Sequence, residues 1–527
     1  MKDADWKFMT TPQEGAKNRR IYMPRGKGVG GSSILNLMQL GRAPAQEYDA
    51  FERLGVTGWT STEFLEYFKK SQTLSFTPAE IQNLGLKPSN DVHGSGPIFN
   101  TLPRVTSALY HPFVKACEEV GIPFNPDAIR GNNTGVWPSS NAIHPETGAR
   151  VSSASAYYEP IKQQSNLVVI TGARVTRILF SEDSSSEVVA ESIEYSKDGQ
   201  VFLVSVKKEV ILAAGSLLTP QILELSGIGD GEILKGHNIP LVVDLPGVGT
   251  NLQDHFATTF VCEVSNEVET FDALQDPDRE AKEWKLFEEA KTGMLATIPF
   301  SFSFMPLKLF AEGNKIREAA ASVKPEKIHP GSFKILQEWL RNDEVCQLEN
   351  ILVPYFVPTP SLPTPEAGKH YMSFTLIVTH PFARGSVHIN SADPHDLPDV
   401  NLSALDNPVD LAILVDAVKF ARKLISTDAF KPIVVRELVP SLAAQTDSDI
   451  EEAVKSQVST SFHPIGTAPM LPREEGGVVG PDLKVYGTYN IRIVDASIIP
   501  LQIGSHPMAT VYAIGEKAAD IIKAAKT

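Results

Sequence analysis

Residues 209 to 215 read EVILAAG and run without a break into SLLTPQILELSGIG, residues 216 to 229. A short unbroken apolar run closed by a glycine and followed by a helical pattern reads as a buried strand that feeds a helix N-terminus. Such a turn presents free backbone N–H groups to an anionic ligand. That one segment commits the chain to an α/β sheet. Around it, between residues 167 and 215, the texture is β: LVVIT (167–171), VTRILF (175–180), ESIEY (191–195) and VFLVSV (201–206) read as strands, the last two joined by a tight turn at Asp198 and Gly199.

Helical patterns flank these strands. Residues 46 to 70 predict helix, with Thr60 and Glu63 spaced as a capping box ahead of the apolar stripe Phe64, Leu65 and Phe68. Residues 260 to 350 carry Glu- and Lys-rich helical runs such as AKEWKLFEEAK around Phe300, Phe302 and Phe304. The alternation of those three predicts a strand with one apolar face, either plain core or the wall of a pocket. Residues 371 to 402 hold two alternating β runs, and a last helix is expected over 508 to 525 with Val511, Ile514, Ala518 and Ile521 on one stripe. No repeat and no long Gly/Ser linker divides the 527 residues, so the domains are expected to interleave.

The charge balance, 48 Lys and Arg against 63 Asp and Glu for a net −15, repels phosphate backbones, and no basic cluster overrides it; nucleic acid is not an expected partner. Cys117, Cys262 and Cys346 are scattered and read as buried small hydrophobes. Apolar runs such as 210 to 214 are too short to span a bilayer, and residues 1 to 20 carry no apolar stretch of the kind a signal peptide needs.

Residues 26 to 31, GKGVGG, formally satisfy G-x-G-x-x-G, but the preceding KNRRIYMPR is not the hydrophobic strand a dinucleotide fingerprint requires. With Ser32, Ser33 and Asn36 behind it, the loop reads as backbone that hugs a cofactor or as a plain flexible loop. Six of the twelve histidines precede proline: His111, His144, His329, His380, His463 and His506. Proline disfavours helix in the residue before it, so these six are expected on extended backbone. No HExxH, His-x-His or cysteine pair suggests a metal, no G-x-S-x-G a serine hydrolase, and no G-x-x-x-x-G-K-[ST] a phosphate loop. A glycine-cradled cofactor with histidine acid–base chemistry remains.

Taken together, PRGKGVGGSSILNLMQLGR (24–42), HGSGP (93–97), GARVSSASAYY (148–158), NLVVITGARVTRI (166–178), AAGSLLTPQILELSGIG (213–229), PGVGTNLQDH (246–255), RGSVHINSADP (384–394), HPIGTAPM (463–470) and VDASIIPLQIGSHPMATVYAIGEKAADII (494–522) resemble the glucose-methanol-choline (GMC) family of FAD-dependent oxidoreductases, in family order. The resemblance implies a mixed α/β fold. An FAD-binding Rossmann-like domain would be assembled from residues 1–260 with 463–527. A substrate domain of antiparallel sheet and helices would occupy about 261–462, with segments between 60 and 165 contributing. It also implies oxidation of a CH–OH donor, with hydride passing to flavin N5. His463 matches the family's first active-site histidine and His506 its second position. Ser32, Asn36 and Met38 match the loop packed on the flavin, Val175 the residue whose backbone meets adenine, and Asp495, Ala496, Pro507 and Met508 the stretch lining the pyrophosphate and ring. No metal is implied. Phe462 beside His463, with the Phe300 to Phe304 run, suggests an apolar or aromatic alcohol as substrate.

The N-terminus departs from the family pattern. Family members begin with a strand, a true G-x-G-x-x-G turn, a helix and a second strand, whereas DADWKFMTTPQ at residues 3 to 13 already matches the segment on the C-terminal side of that unit. The expectation is an FAD domain lacking its first βαβ unit. Three readings are open: an FAD-dependent alcohol oxidase or dehydrogenase whose sequence is cut short at the N-terminus, a lyase or cyclase on the same scaffold, and a flavin-free non-enzymatic remnant. A longer natural N-terminus would leave secretion open, and Asn132 and Asn401 stand in glycosylation sequons.

Overall fold

In the computed structural model, residues 3–182, 187–311, 314–323 and 328–525 are described. Its largest sheet is antiparallel and seven-stranded, in the order Val434–Val439, Phe256–Val264, His370–Val378, Cys346–Val353, Ser301–Pro306 and Gly135–Pro138, with Ser459–Thr460 paired to the start of Phe256–Val264. Register decides what each face carries, because residues directly opposite across a ladder point the same way. Phe302 lies opposite both Ile351 and Trp137, and Phe304 and Ile377 both lie opposite Glu349. One face therefore gathers Trp137, Phe302, Phe304, Ile351 and Ile377 into an apolar cluster, with a single carboxylate, Glu349, among them. The opposite face carries Phe260, Leu352 and Phe374, and on it pack Phe113 of the helix Tyr110–Glu119 and the helix Pro408–Ile425. Each such aromatic or aliphatic side chain contributes roughly 1.5–3 kcal/mol on burial.

The segment EVILAAGSLLTPQILELSGIG forms the strand Val210–Leu212, a turn at Gly215 (φ +81°) and the helix Thr219–Leu225. The strand pairs in parallel with Ile491–Ile493. It is not buried on both faces as expected: Val210 and Leu212 are inside while Ile211 is 46% exposed. The strands expected at 175–180, 191–195 and 201–206 form a three-stranded antiparallel sheet, and Asp198 and Gly199 both adopt the positive φ that a type I′ hairpin turn needs. LVVIT, in contrast, forms no strand. Val168, Val169 and Ile170 are exposed, and no described strand pairs with them; β-branched composition makes a strand only where a neighbour supplies the ladder hydrogen bonds.

The span expected as helix, 46 to 70, forms two helices, Ala45–Arg53 and Ser61–Ser71, broken over residues 54–60 where Gly55 and Gly58 take positive φ; the second carries the Thr60/Glu63 capping box, and the last helix runs Met508–Ala524. His111 corrects the expectation for residues before proline. It sits in the first turn of the helix Tyr110–Glu119, where the missing N–H of Pro112 costs no intrahelical bond. The glycine loop follows no full strand. Gly26 bridges Asp5 and the chain turns into a short helical turn, Gly31–Ile34; a Cβ on Gly26 would sit 2.0 Å from Gly31 O, so the turn tolerates nothing larger.

Candidate active site

The two predicted histidines are brought together at one edge of the large sheet by an irregularity in its ladder. Phe256 pairs with Thr460, and Gln253 pairs with Ile465, so Asp254 and His255 on one strand face residues 461–464 on the other. The extra residues bulge out, and Phe462 takes a left-handed conformation (φ +63°) that a non-glycine residue adopts only when its surroundings hold it. The buried Asp254 carboxylate does the holding: it accepts from the His463 backbone N–H at 2.8 Å and from the Thr460 hydroxyl. Burial raises its pKa to about 6, against the lowering effect of those donors and of the Arg25 guanidinium. Arg25 in turn donates to Phe462 O at 2.5 Å. The Gln502 side chain donates to His463 O at 3.1 Å, while its backbone N–H donates to Gln253 Oε1 at 3.0 Å, tying the loop that carries His506 to the bulge.

The His463 and His506 rings lie with centroids 4.8 Å apart and their planes tilted by 44°. His463 Nδ1 lies 2.9 Å from Nδ1 of a third histidine, His255, which is fully buried at the start of its strand. His506 Nε2 lies 2.9 Å from Glu349 Oε1 and packs edge-on against Phe302, 5.5 Å between centroids. Burial lowers the His463 pKa well below its usual value, with the neighbouring His506, His255 and Arg25 charges acting in the same direction, so the ring is neutral at pH 7. Its Nε2 has no hydrogen-bond partner among the described residues. The site thus contains a neutral imidazole with a free nitrogen, a second imidazole bonded to a carboxylate, and Phe302 edge-on against that second imidazole, itself packed on Trp137 and Phe304.

The predicted cofactor-binding residues divide into two groups. Asn36 donates to Met508 Sδ at 2.8 Å and accepts from Met38 N–H and Arg150, so the glycine loop is locked to the start of the last helix. Ser32 Oγ accepts from Gly26 N–H at 3.2 Å and closes the loop itself. Met38, with φ +60°, is half-buried beside this junction. Pro507 caps the Met508–Ala524 helix, whose first backbone bond is Val511 N–H to Pro507 O; the amides of Met508, Ala509 and Thr510 have no partner among the described residues. Val175 lies on the strand Ala173–Phe180 beside a register shift and is partly exposed. Asp495 serves the fold. Its carboxylate accepts from Gly215 N–H (2.9 Å), Thr219 Oγ (2.6 Å), and Ser497 N–H and Oγ (2.8 and 2.5 Å). The strand–glycine–helix turn is therefore occupied by an anion from the chain itself, and the adjacent Ala496 O accepts from Gly466 N–H.

Family models described as GMC oxidoreductase match residues 8–257 and 381–515. A dehydrogenase of Armillaria gallica is 34% identical over 545 residues, covering 98% of this chain and 83% of the relative. The chain belongs to the GMC oxidoreductase family. Among solved structures, an FAD-dependent oxidoreductase from Chaetomium thermophilum superposes with a TM-score of 0.91 at 27% identity, covering 99% of this chain and 91% of that one. A fungal aryl-alcohol oxidase superposes with a TM-score of 0.86 at 30% identity, covering 98% and 89%. As a GMC member the chain is an oxidoreductase, and FAD, the cofactor expected from the sequence, is the family's cofactor. The residues present fit the ring end of FAD: buried unpaired amides at Ala509 and Thr510 suit a carbonyl-like acceptor, and the loop closed by Ser32 and Asn36 presents small polar groups beside them.

Three members of this site were not assigned from the sequence. His255 closes the motif PGVGTNLQDH, but nothing local to it predicts a partner 208 residues away. Glu349 carried a usable signal, a lone carboxylate inside the apolar strand Cys346–Val353. Arg150, which grips Asn36, belongs to the motif GARVSSASAYY, but nothing local to it predicts that partner.

Proposed function

We propose that this GMC oxidoreductase oxidises the CH–OH group of a small apolar or aromatic alcohol, with FAD as cofactor and His463 as general base. The observation that carries the reading is the opposed bonding of the two histidines: His463 keeps Nε2 free, and His506 has its Nε2 committed to Glu349. A neutral imidazole with an open nitrogen accepts a hydroxyl proton. The Glu349 carboxylate accepts from His506 Nε2–H and holds that ring beside His463, next to the alcohol oxygen on which negative charge develops. FAD, when bound, supplies the acceptor for the hydride from carbon. Phe302, Phe304 and Trp137 exclude water and pack an apolar substrate body, in keeping with the aryl-alcohol oxidase among the structural neighbours.

The test begins with the visible spectrum of the purified chain after incubation with FAD. Flavin bands near equimolar to protein are expected, and anaerobic addition of benzyl alcohol should bleach them. A chain that takes up no flavin refutes the reading for this protein. A bound flavin left unbleached by a panel of primary and aryl alcohols refutes the oxidation. His463→Ala should retain flavin and lose the bleaching.

A further inference from the structure

We propose that His255 is the positioning residue that fixes His463 in its Nδ1–H tautomer, leaving Nε2 as the atom that takes the proton; the assignment rests on His463 being the base. Three hydrogen-bonding groups form a chain whose polarity is set from one end. Thr379 O, a carbonyl that can only accept, lies 3.0 Å from His255 Nε2, so that nitrogen carries a proton. Thr379 is itself pinned, its hydroxyl donating to Cys346 O at 2.7 Å within the adjoining strand. His255 is wholly buried, and burial, aided by the His506 and His380 charges, lowers its pKa to about 3, so it carries no second proton at working pH. Its Nδ1 is then a bare lone pair, 2.9 Å from His463 Nδ1. The Ile503 backbone is a second acceptor for the His255 ring; with its one proton held on Nε2 by Thr379 O, the facing pair of ring nitrogens takes His463 as the donor.

The consequence is chemical. A neutral histidine bears one proton, and placing it on Nδ1 leaves the lone pair on Nε2, the nitrogen with no partner among the described residues. The same bond strengthens as the ring becomes imidazolium, because a charged donor bonds the His255 lone pair more tightly than a neutral one. His255, uncharged at working pH, therefore raises the basicity of Nε2 through this bond; a charge on its ring would act the other way, as the His506 and Arg25 charges do. The nearby carboxylate of Asp254 is bound to the His463 backbone N–H. The register of the ladder makes the contact: the Phe256–Thr460 pairing sets the two histidines side by side, and the bulge at Phe462 turns the rings to 88°, edge to face.

The direct test is ¹⁵N NMR of the full-length chain labelled at histidine, with the His463 signals assigned by difference from His463→Gln. A pyrrole-type Nδ1 and a pyridine-type Nε2 are expected for His463; the reverse assignment overturns the proposal whatever the activity. The kinetic arm compares His255→Leu with His255→Asn, whose Oδ1 can stand near the lost Nδ1 as an acceptor. In His255→Leu the limiting rate of anaerobic flavin reduction should fall on the order of 10²-fold with KM little changed, and the acid limb of its pH profile should move to lower pH. His255→Asn should recover most of the rate and return the limb. An unchanged rate in His255→Leu, or equal losses in both variants with an unmoved limb, assigns His255 a packing role and overturns the proposal. Bleaching by alcohol in His463→Ala refutes the base itself, and with it any residue said to position it; a reversed tautomer in an enzyme that His463→Ala inactivates refutes His255 alone.

Discussion

Replacing Glu349 isolates what its charge contributes to His506. Glu349 is 1% exposed, and its Oε1 accepts from His506 Nε2 at 2.9 Å while Oε2 has no partner among the described residues. Glutamine keeps the shape and an acceptor oxygen but removes the charge. A hydrogen bond to a charged group is worth about 1.5–3 kcal/mol against about 0.5–1.5 for a neutral one, so Glu349→Gln, which removes the charge from the acceptor, forfeits about 1–1.5 kcal/mol of the bond that holds the His506 ring. At about 1.36 kcal/mol per decade, flavin reduction should slow roughly 5- to 13-fold. Glu349→Leu leaves the N–H unpaired as well, adding about 1–3 kcal/mol, and should slow it on the order of 10²-fold or more. Stability should not follow activity, because a buried carboxylate with one bare oxygen burdens the folded state and a leucine among Trp137, Phe302 and Ile351 does not. Single-turnover reduction by benzyl alcohol in an anaerobic stopped-flow, beside thermal melts, reads both quantities. Rates within twofold of wild type for both variants would sink the claim that Glu349 acts through His506.

Other consequences can be checked independently. Asp495→Ala strands the buried donors of Gly215, Thr219 and Ser497, each worth about 1–3 kcal/mol, so the urea midpoint should fall clearly; a midpoint that does not move refutes the assignment of Asp495 to the fold. Phe302→Leu removes an aromatic contact with His506 and Trp137 worth about 0.5–1.5 kcal/mol and should raise KM for benzyl alcohol roughly 2- to 12-fold more than for a short aliphatic alcohol, and equal effects on both would show that Phe302 is plain core. His255 is depressed from about 6.5 to about 3, so it binds its proton less readily folded than unfolded; its contribution to stability is complete above pH 6.5 and is lost as pH falls towards 3. Thermal melts of His255→Asn should accordingly fall less steeply than wild type between pH 6.5 and 4.

Local pattern was enough to read the secondary elements that a few neighbouring residues determine. The Thr60/Glu63 box, the hairpin at Asp198 and Gly199, and the Phe300 to Phe304 alternation each rest on spacing within one turn or one strand, and each is present. The same reasoning failed where pairing decides. LVVIT has residues a strand prefers and forms none, because a strand is a relation between two segments and no described strand pairs with it. Asp495 was matched to a cofactor-lining stretch only through the resemblance, and no local pattern marks it as the anion that satisfies the turn at Gly215, 280 residues earlier.

For the active site the division is similar. The sequence by itself determined the family and the mixed α/β class, and singled out His463 and His506 as the candidate pair, since those follow from motifs that are contiguous in the chain. Only the tertiary structure decided the protonation logic. His255 and His463 are 208 residues apart, and Glu349 and His506 are 157 apart, brought within 2.9 Å by a ladder register and a bulge that no local pattern encodes. Which nitrogen of a histidine carries the proton is set by what its other nitrogen touches, and that contact exists only once the sheet has closed.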